Sequence, residues 1–121
     1  MIVDGQTRGG IAHGIGNALY EYMGYDENGQ PTTTTFADYL LPSATEVPSI
    51  DSFYTSSPSP LNPLGVKGAG EAGVIPSAAA VISAVENALE PFGVRITQVP
   101  LFPHRLLELI AAGSGAKRSM T

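Results

Sequence analysis

Cysteine is absent from the 121 residues, which excludes disulfides, thiolate metal sites and iron–sulfur ligation within this chain. Charge is scarce, with 14% charged residues against about 25% in ordinary soluble domains. Basic residues are the scarcer sign: six Lys and Arg face eleven Asp and Glu, for a net charge of −5. That balance argues against a nucleic-acid surface, which needs clustered Lys and Arg. No apolar run approaches the length of a membrane span. The opening Met-Ile-Val-Asp-Gly-Gln turns polar within four residues, unlike a secretory leader. These absences lead us to expect a soluble, cytoplasmic protein.

Glycine and proline are abundant, at 14 and 10 residues. The length fits one domain, expected over residues 1–112 and able to bury about two-thirds of its unfolded surface. Residues 113–121 read as a disordered tail of small residues holding the only basic pair, Lys117-Arg118. The low charge admits two readings. One is a compact, loop-rich domain; the other is a piece of a larger protein whose remaining parts cover its surface, since a free-standing domain keeps its surface well charged.

Residues 9–23 read as a helix, with Ile11, Ile15, Leu19 and Tyr22 or Met23 at helical spacing. Beside that stripe, Gly10, Gly14 and Ala18 recur four apart. Each helical glycine costs roughly 1 kcal/mol relative to Ala, so close packing against another backbone is expected to compensate. Asp26-Glu27-Asn28-Gly29 then signals a tight hairpin turn, between a strand at 20–25 and a return strand at 32–41. Further strands are expected at 52–56 and 94–99. Helices are expected at Ser77–Leu89, with Pro76 in the first turn, and at Pro103–Ala112, stopped by Gly113. The fold class is therefore α+β: a short mixed or antiparallel sheet packed by about three helices.

The densest signal is Gly65-Val66-Lys67-Gly68-Ala69-Gly70-Glu71-Ala72-Gly73, which sets one carboxylate among glycines. Gly68 to Gly73 formally matches the dinucleotide fingerprint G-x-G-x-x-G. That fingerprint requires a buried strand immediately before it, and the proline-rich approach through Pro58, Pro60 and Pro63 cannot be one. No Gly-Lys-Ser/Thr follows, so a Walker loop also fails. Glu71 itself is either an acid favoured by a helix N-terminus or a general base shielded by small residues.

A second constellation joins Gln6, whose amide both donates and accepts, to Gly9-Gly10, a helix start with free amides or an ordinary capping turn. His13 reads as a packed or partly exposed helix residue, and its distance from His104 offers no metal-ligand spacing. No metal ligand set is expected. Ser56, Ser57 and Ser59 lack both a nucleophile elbow and a base.

Taken together, these stretches resemble the C-terminal part of the molybdopterin-binding large subunit of the xanthine oxidase, aldehyde oxidase and carbon monoxide dehydrogenase family. The resemblance lies in Asp4 to Glu21, in Phe36-Ala-Asp-Tyr-Leu-Leu-Pro-Ser-Ala44, in Pro58-Ser-Pro-Leu-Asn-Pro-Leu-Gly-Val-Lys-Gly-Ala-Gly-Glu-Ala72, and in Pro76 to Val85. It spans about residues 2–110 and is closest to the bacterial carbon monoxide dehydrogenase-like or aldehyde dehydrogenase-like subgroup.

The resemblance implies a subdomain of the molybdenum-cofactor-binding domain. It implies that Glu71 is the catalytic base beside a molybdenum ion held by molybdopterin, in a bacterial enzyme with the cytosine dinucleotide form. Gln6 would hydrogen-bond the pterin, Gly9 and Gly10 would lie by it, and Lys67, Gly68 and Gly70 would shape the loop. The implied reaction is hydroxylation or oxidation of an aldehyde, carbon monoxide or an N-heterocycle. Iron–sulfur and FAD subunits and the remainder of the large subunit are the implied partners, because the family's subunit is several times longer. Met1 falls where such a sequence would continue, so an excised segment, a truncated reading frame or a split subunit is expected, inactive alone. The alternative is a stand-alone interaction or small-ligand domain that kept the fold without catalysis.

Overall fold

The computed structural model of the chain describes residues 1–118. Three helices carry it: α1 (Ile2–Leu19), α2 (Val74–Ala88) and α3 (Pro103–Arg118), with a 3-10 turn at Glu90–Phe92. Helix α1 begins seven residues before the expected start. Asp4 in its first turn pairs with Arg8 one turn on, at 3.0 Å, and the Thr7 hydroxyl donates to the Val3 carbonyl. Its C-terminal end closes where the amides of Tyr20 and Glu21 both donate to the Gly16 carbonyl, each at 2.9 Å. Tyr22 and Met23 fall outside the helix and are exposed. The buried face is instead Gly14, Ile15, Gly16 and Ala18.

That small-residue face lies directly on the start of α2. A Cβ built on Gly10 would stand 2.8 Å from the Val74 amide nitrogen, and one on Gly14 would collide with the Ser77 Cβ. The expected compensation for helical glycine is therefore present, as backbone against backbone. Pro76 does sit in the first turn of α2, and Gly93 at φ 69° ends the 3-10 turn that follows. Helix α3 runs through Gly113 rather than stopping there, because the Phe92 carbonyl packs against that glycine where a Cβ would collide. The tail expected from Gly113 is thus helical through Arg118, and 119–121 lie outside the described residues.

The expected sheet is not found: among the described residues there is no strand, only an antiparallel bridge between Tyr25 and Pro31. The turn itself forms as read, with Gly29 at φ 79° and Asp26 Oδ1 accepting from the amides of Asn28 and Gln30. The Thr32 amide still donates to the Gly24 carbonyl at 2.8 Å, but the Gly24 amide goes to the Thr33 hydroxyl rather than back to a main-chain carbonyl, and pairing ends there. The run 32–41 then folds into a turn, with the Thr35 hydroxyl donating to Asp38 at 2.8 Å and the Tyr39 amide to the Thr35 carbonyl. Thr and Asp side chains compete with ladder bonds in this way. In 94–99 the Ile96 amide donates to the Glu86 carboxylate at 2.6 Å rather than to another strand.

The core is small: Ile15, Ala18, Val94 and Leu101. The Leu101 amide donates to the Ala18 carbonyl at 2.7 Å, which ties the segment before α3 to the end of α1. Glu21 accepts from the Tyr39 hydroxyl at 2.6 Å, and that bond holds the phenol pKa above its ordinary value. The chain exposes 8986 Å², whereas a folded monomer of 12.6 kDa exposes about 6,200 Å². It therefore buries about half of its extended-chain surface, not the two-thirds expected. Phe53 and Leu61 are each 92% exposed.

The seam between α1 and α2 predicts opposite outcomes for two glycines of one helix. Gly14→Val should force a side chain into Ser77 and cost about 1–3 kcal/mol. Gly5→Ala, which meets nothing within 4 Å, should gain roughly 0.5–1 kcal/mol. Thermal unfolding followed by circular dichroism separates them, and shifts of the same sign would contradict the packing described.

Candidate functional site

The stretch from Ser57 to Lys67 is held by its own polar groups. Asn62 is the pin: its side-chain amide donates to the Val66 carbonyl and its Oδ1 accepts the Val66 amide, both at 3.0 Å. The Asn62 carbonyl accepts from the Gly65 amide, and the Gly65 carbonyl accepts from the Ser59 amide. Gly65 has φ 65°, a backbone shape that favours glycine. Lys67 Nζ donates to the Ser57 hydroxyl at 2.8 Å, closing the base of the loop. Lys67 thus has a partner inside the chain, and its contribution here is to loop shape.

Beyond Lys67 the chain opens. Gly68 has nothing within 4 Å of a built Cβ, and a Cβ on Gly70 would meet a single neighbour, Gln6 Nε2, at 3.9 Å. The fold therefore sets the Gln6 side chain beside Gly70, 64 residues away in sequence and next to Glu71 in the chain. The Glu71 carbonyl accepts from the amides of Val74 and Ile75 at 3.1 and 3.2 Å. Its side chain is exposed. Helix α2 takes Gly73 as N-cap, has no side-chain cap and no acid in its first turn. Glu71 thus makes no side-chain cap bond to α2.

Gly9 and Gly10 part company. Both lie inside α1 rather than at its start, so their amides are bonded within the helix and are not free for an anion. Gly10 faces Gly73 and Val74, whereas Gly9 is exposed with nothing within 4 Å. One turn earlier, the Arg8 guanidinium holds the Asp4 carboxyl below its ordinary pKa. The Tyr54 hydroxyl reaches the same carboxylate at 3.3 Å, which fastens the loop before Ser57 to α1. His13 is exposed on α1, and His104 stacks on Phe102 at 5.6 Å.

Two residues of this region escaped the sequence reading. Asn62 was signalled by Asn-Pro, a turn-initiating pair. Ser77, buried with its hydroxyl donating to the Gly73 carbonyl, was read only as a helix residue, although serine bonding to the carbonyl four residues back is a known alternative.

A sequence model described as a molybdopterin cofactor-binding domain matches residues 1–48. The gamma subunit of the 6-hydroxypseudooxynicotine dehydrogenase complex of Paenarthrobacter nicotinovorans is 45% identical over 94% of this chain and 14% of its own. Among solved structures, quinoline 2-oxidoreductase of Pseudomonas putida 86 superposes with a TM-score of 0.88 at 48% identity, over 92% of this chain and 14% of the other. The reconstituted carbon monoxide dehydrogenase of Oligotropha carboxidovorans gives 0.85 at 32% identity, over 97% and 14%. The chain belongs to the family of molybdopterin-binding large subunits.

The family also counts xanthine dehydrogenase and aldehyde oxidoreductase among the relatives matched. The chain spans about 14% of the length of the relatives it matches. The helical architecture described above is thus a fragment of the cofactor-binding domain of these large subunits. No described helix is long and apolar enough to cross a membrane.

If Asn62 pins the loop, Asn62→Ala should speed amide exchange at Val66 about tenfold, the loss expected for bonds worth roughly 1–2 kcal/mol together. Amides of α1 and α2 should keep their protection. Unchanged exchange at Val66 would remove Asn62 from this role.

Proposed function

We propose that this chain is the part of a molybdenum hydroxylase large subunit that supplies the catalytic base and contacts to the pterin. The carrying observation is the meeting of Gln6 with the Gly70-Glu71 loop, two features of different chemistry and distant sequence. The open faces of Gly9 and Gly68, and an exposed Gln6 side chain, fit a flat, polar group approaching from outside the chain. When bound, the molybdenum cofactor supplies the redox chemistry of such an enzyme. Gln6 would hold it through an amide that both donates and accepts. Gly9, Gly68 and Gly70 would let it come close, while Gly10 and Lys67 would act through packing and loop shape. Glu71 would accept a proton at its carboxylate as the substrate is oxidised.

The substrate is an aldehyde, carbon monoxide or an N-heterocycle, and the cofactor is the cytosine dinucleotide form of molybdopterin. The remainder of the large subunit and iron–sulfur and FAD subunits complete a cytoplasmic enzyme. Relatives named as a complex subunit, a large subunit and a large chain support an assembly of this kind. The excess exposed surface favours that reading over a stand-alone binding domain, because the chain covers too little of its own apolar area.

In the assembled enzyme, Glu71→Gln should lower kcat by about 10²–10⁴-fold, the range for loss of a general base, with molybdenum content nearly unchanged. Turnover at the wild-type rate in that variant would sink the assignment.

A further inference from the structure

We propose that Gly73 and Ser77 are positioning residues for Glu71, a role that rests on the reading of Glu71 as the base. Helix α1 touches the glycine loop on both sides of that residue. Gln6 meets the loop before it, at Gly70, and the adjacent Thr7 meets it after, at Gly73. A Cβ built on Gly73 would stand 3.0 Å from Thr7 Cα and 3.1 Å from its carbonyl carbon, and would collide with its carbonyl oxygen. These are backbone atoms of a helix, so they cannot swing aside as the end of a long side chain would. Any side chain at position 73 must push α1 away or peel the loop off it, and either movement changes the place of Glu71 relative to Gln6.

Ser77, one turn along α2, holds the same residue. Its hydroxyl donates to the Gly73 carbonyl, and its Cβ is the surface on which Gly14 rests. The Glu71 carbonyl, accepting from Val74 and Ile75, transmits that fixed position across two residues to the carboxylate. The chain thus grips the loop at its junction with α2 and leaves the side facing outward free. Proton transfer is steep in distance, and a displacement of about 1 Å can cost about 10²-fold.

The test uses the assembled holoenzyme, with kcat, molybdenum content and hydrogen exchange of peptides covering 66–76 as readouts. Gly73→Ala should lower kcat on the order of 10²-fold, hold molybdenum at the wild-type level and speed exchange in 66–76. Ser77→Ala keeps the Cβ that Gly14 needs and should lose about tenfold for one hydrogen bond. Gly5→Ala, on the same helix in open space, should change none of the three. Placed on Glu71→Gln, Ser77→Ala should cost nothing more, because residues acting through one group are not additive.

An equal loss from Ser77→Ala in both backgrounds would overturn the proposal, as would wild-type kcat in Gly73→Ala or loss of its activity in step with its molybdenum. If Glu71→Gln itself kept wild-type turnover, the base assignment would fail. Exchange in 66–76 would then decide by itself whether Gly73 and Ser77 hold the loop.

Discussion

Backbone contact between α1 and the first turn of α2 is the constraint on which the other features depend. Gly10 and Gly14 let the two helices meet without side chains between them, and Gly73 answers from the other side. Helical glycine is destabilising by roughly 1 kcal/mol each, so α1 would be a poor helix by itself. Close packing offsets that loss only at the glycines that touch something. Gly10, Gly14 and Gly16 do; Gly5 and Gly9 face open space. From this seam the rest follows in order. The end of α1 presents the Ala18 carbonyl to Leu101, which sets the approach to α3, and the start of α1 presents Gln6 to the glycine loop.

The seam is the best-packed region the chain has, and its limits explain the surface. Four apolar residues form the core, while Phe36, Phe53, Leu61 and Leu64 are each more than four-fifths exposed. A monomer rarely tolerates so much uncovered apolar area. Residues 20–73 contain no regular element and rely on local side-chain bonds such as those of Asp26, Thr35 and Asn62. Yet this trace superposes on a chain about seven times as long with a TM-score of 0.88. Its shape is that of a segment inside a larger body.

The small-residue stripe, the Asn-Gly turn and the helical run after Pro76 were legible because each rests on short-range chemistry: close approach, positive φ, fixed φ. The strands were not. Thr32 to Phe36 and Ser52 to Thr55 have β-branched and aromatic residues suited to a sheet, but propensity for a sheet is satisfied only by a partner, and the described residues offer these two runs none. Gly113 misled for a related reason. Its absent side chain serves packing against the Phe92 carbonyl, and a contact 21 residues away leaves no local mark. Motif order identified the family where periodicity could not, since the loop around Glu71 is irregular in every local respect.

The same division between local and distant partners separates position from reactivity at Glu71. A general base works best in a dry site, where fixed dipoles act without competition from water. Among the described residues nothing covers Glu71, and the glycines before it leave its approach open. What the chain does supply is stiffness close by: a buried glycine on a helix backbone, a buried serine on its carbonyl, and an asparagine-pinned loop leading in. Stiffness at the junction and exposure at the tip are what a preformed half-site requires. On the function proposed for Glu71, the covering half would exclude water and complete the electrostatics without having to order the loop backbone, because hydrogen bonds at the junction with α2 already hold it.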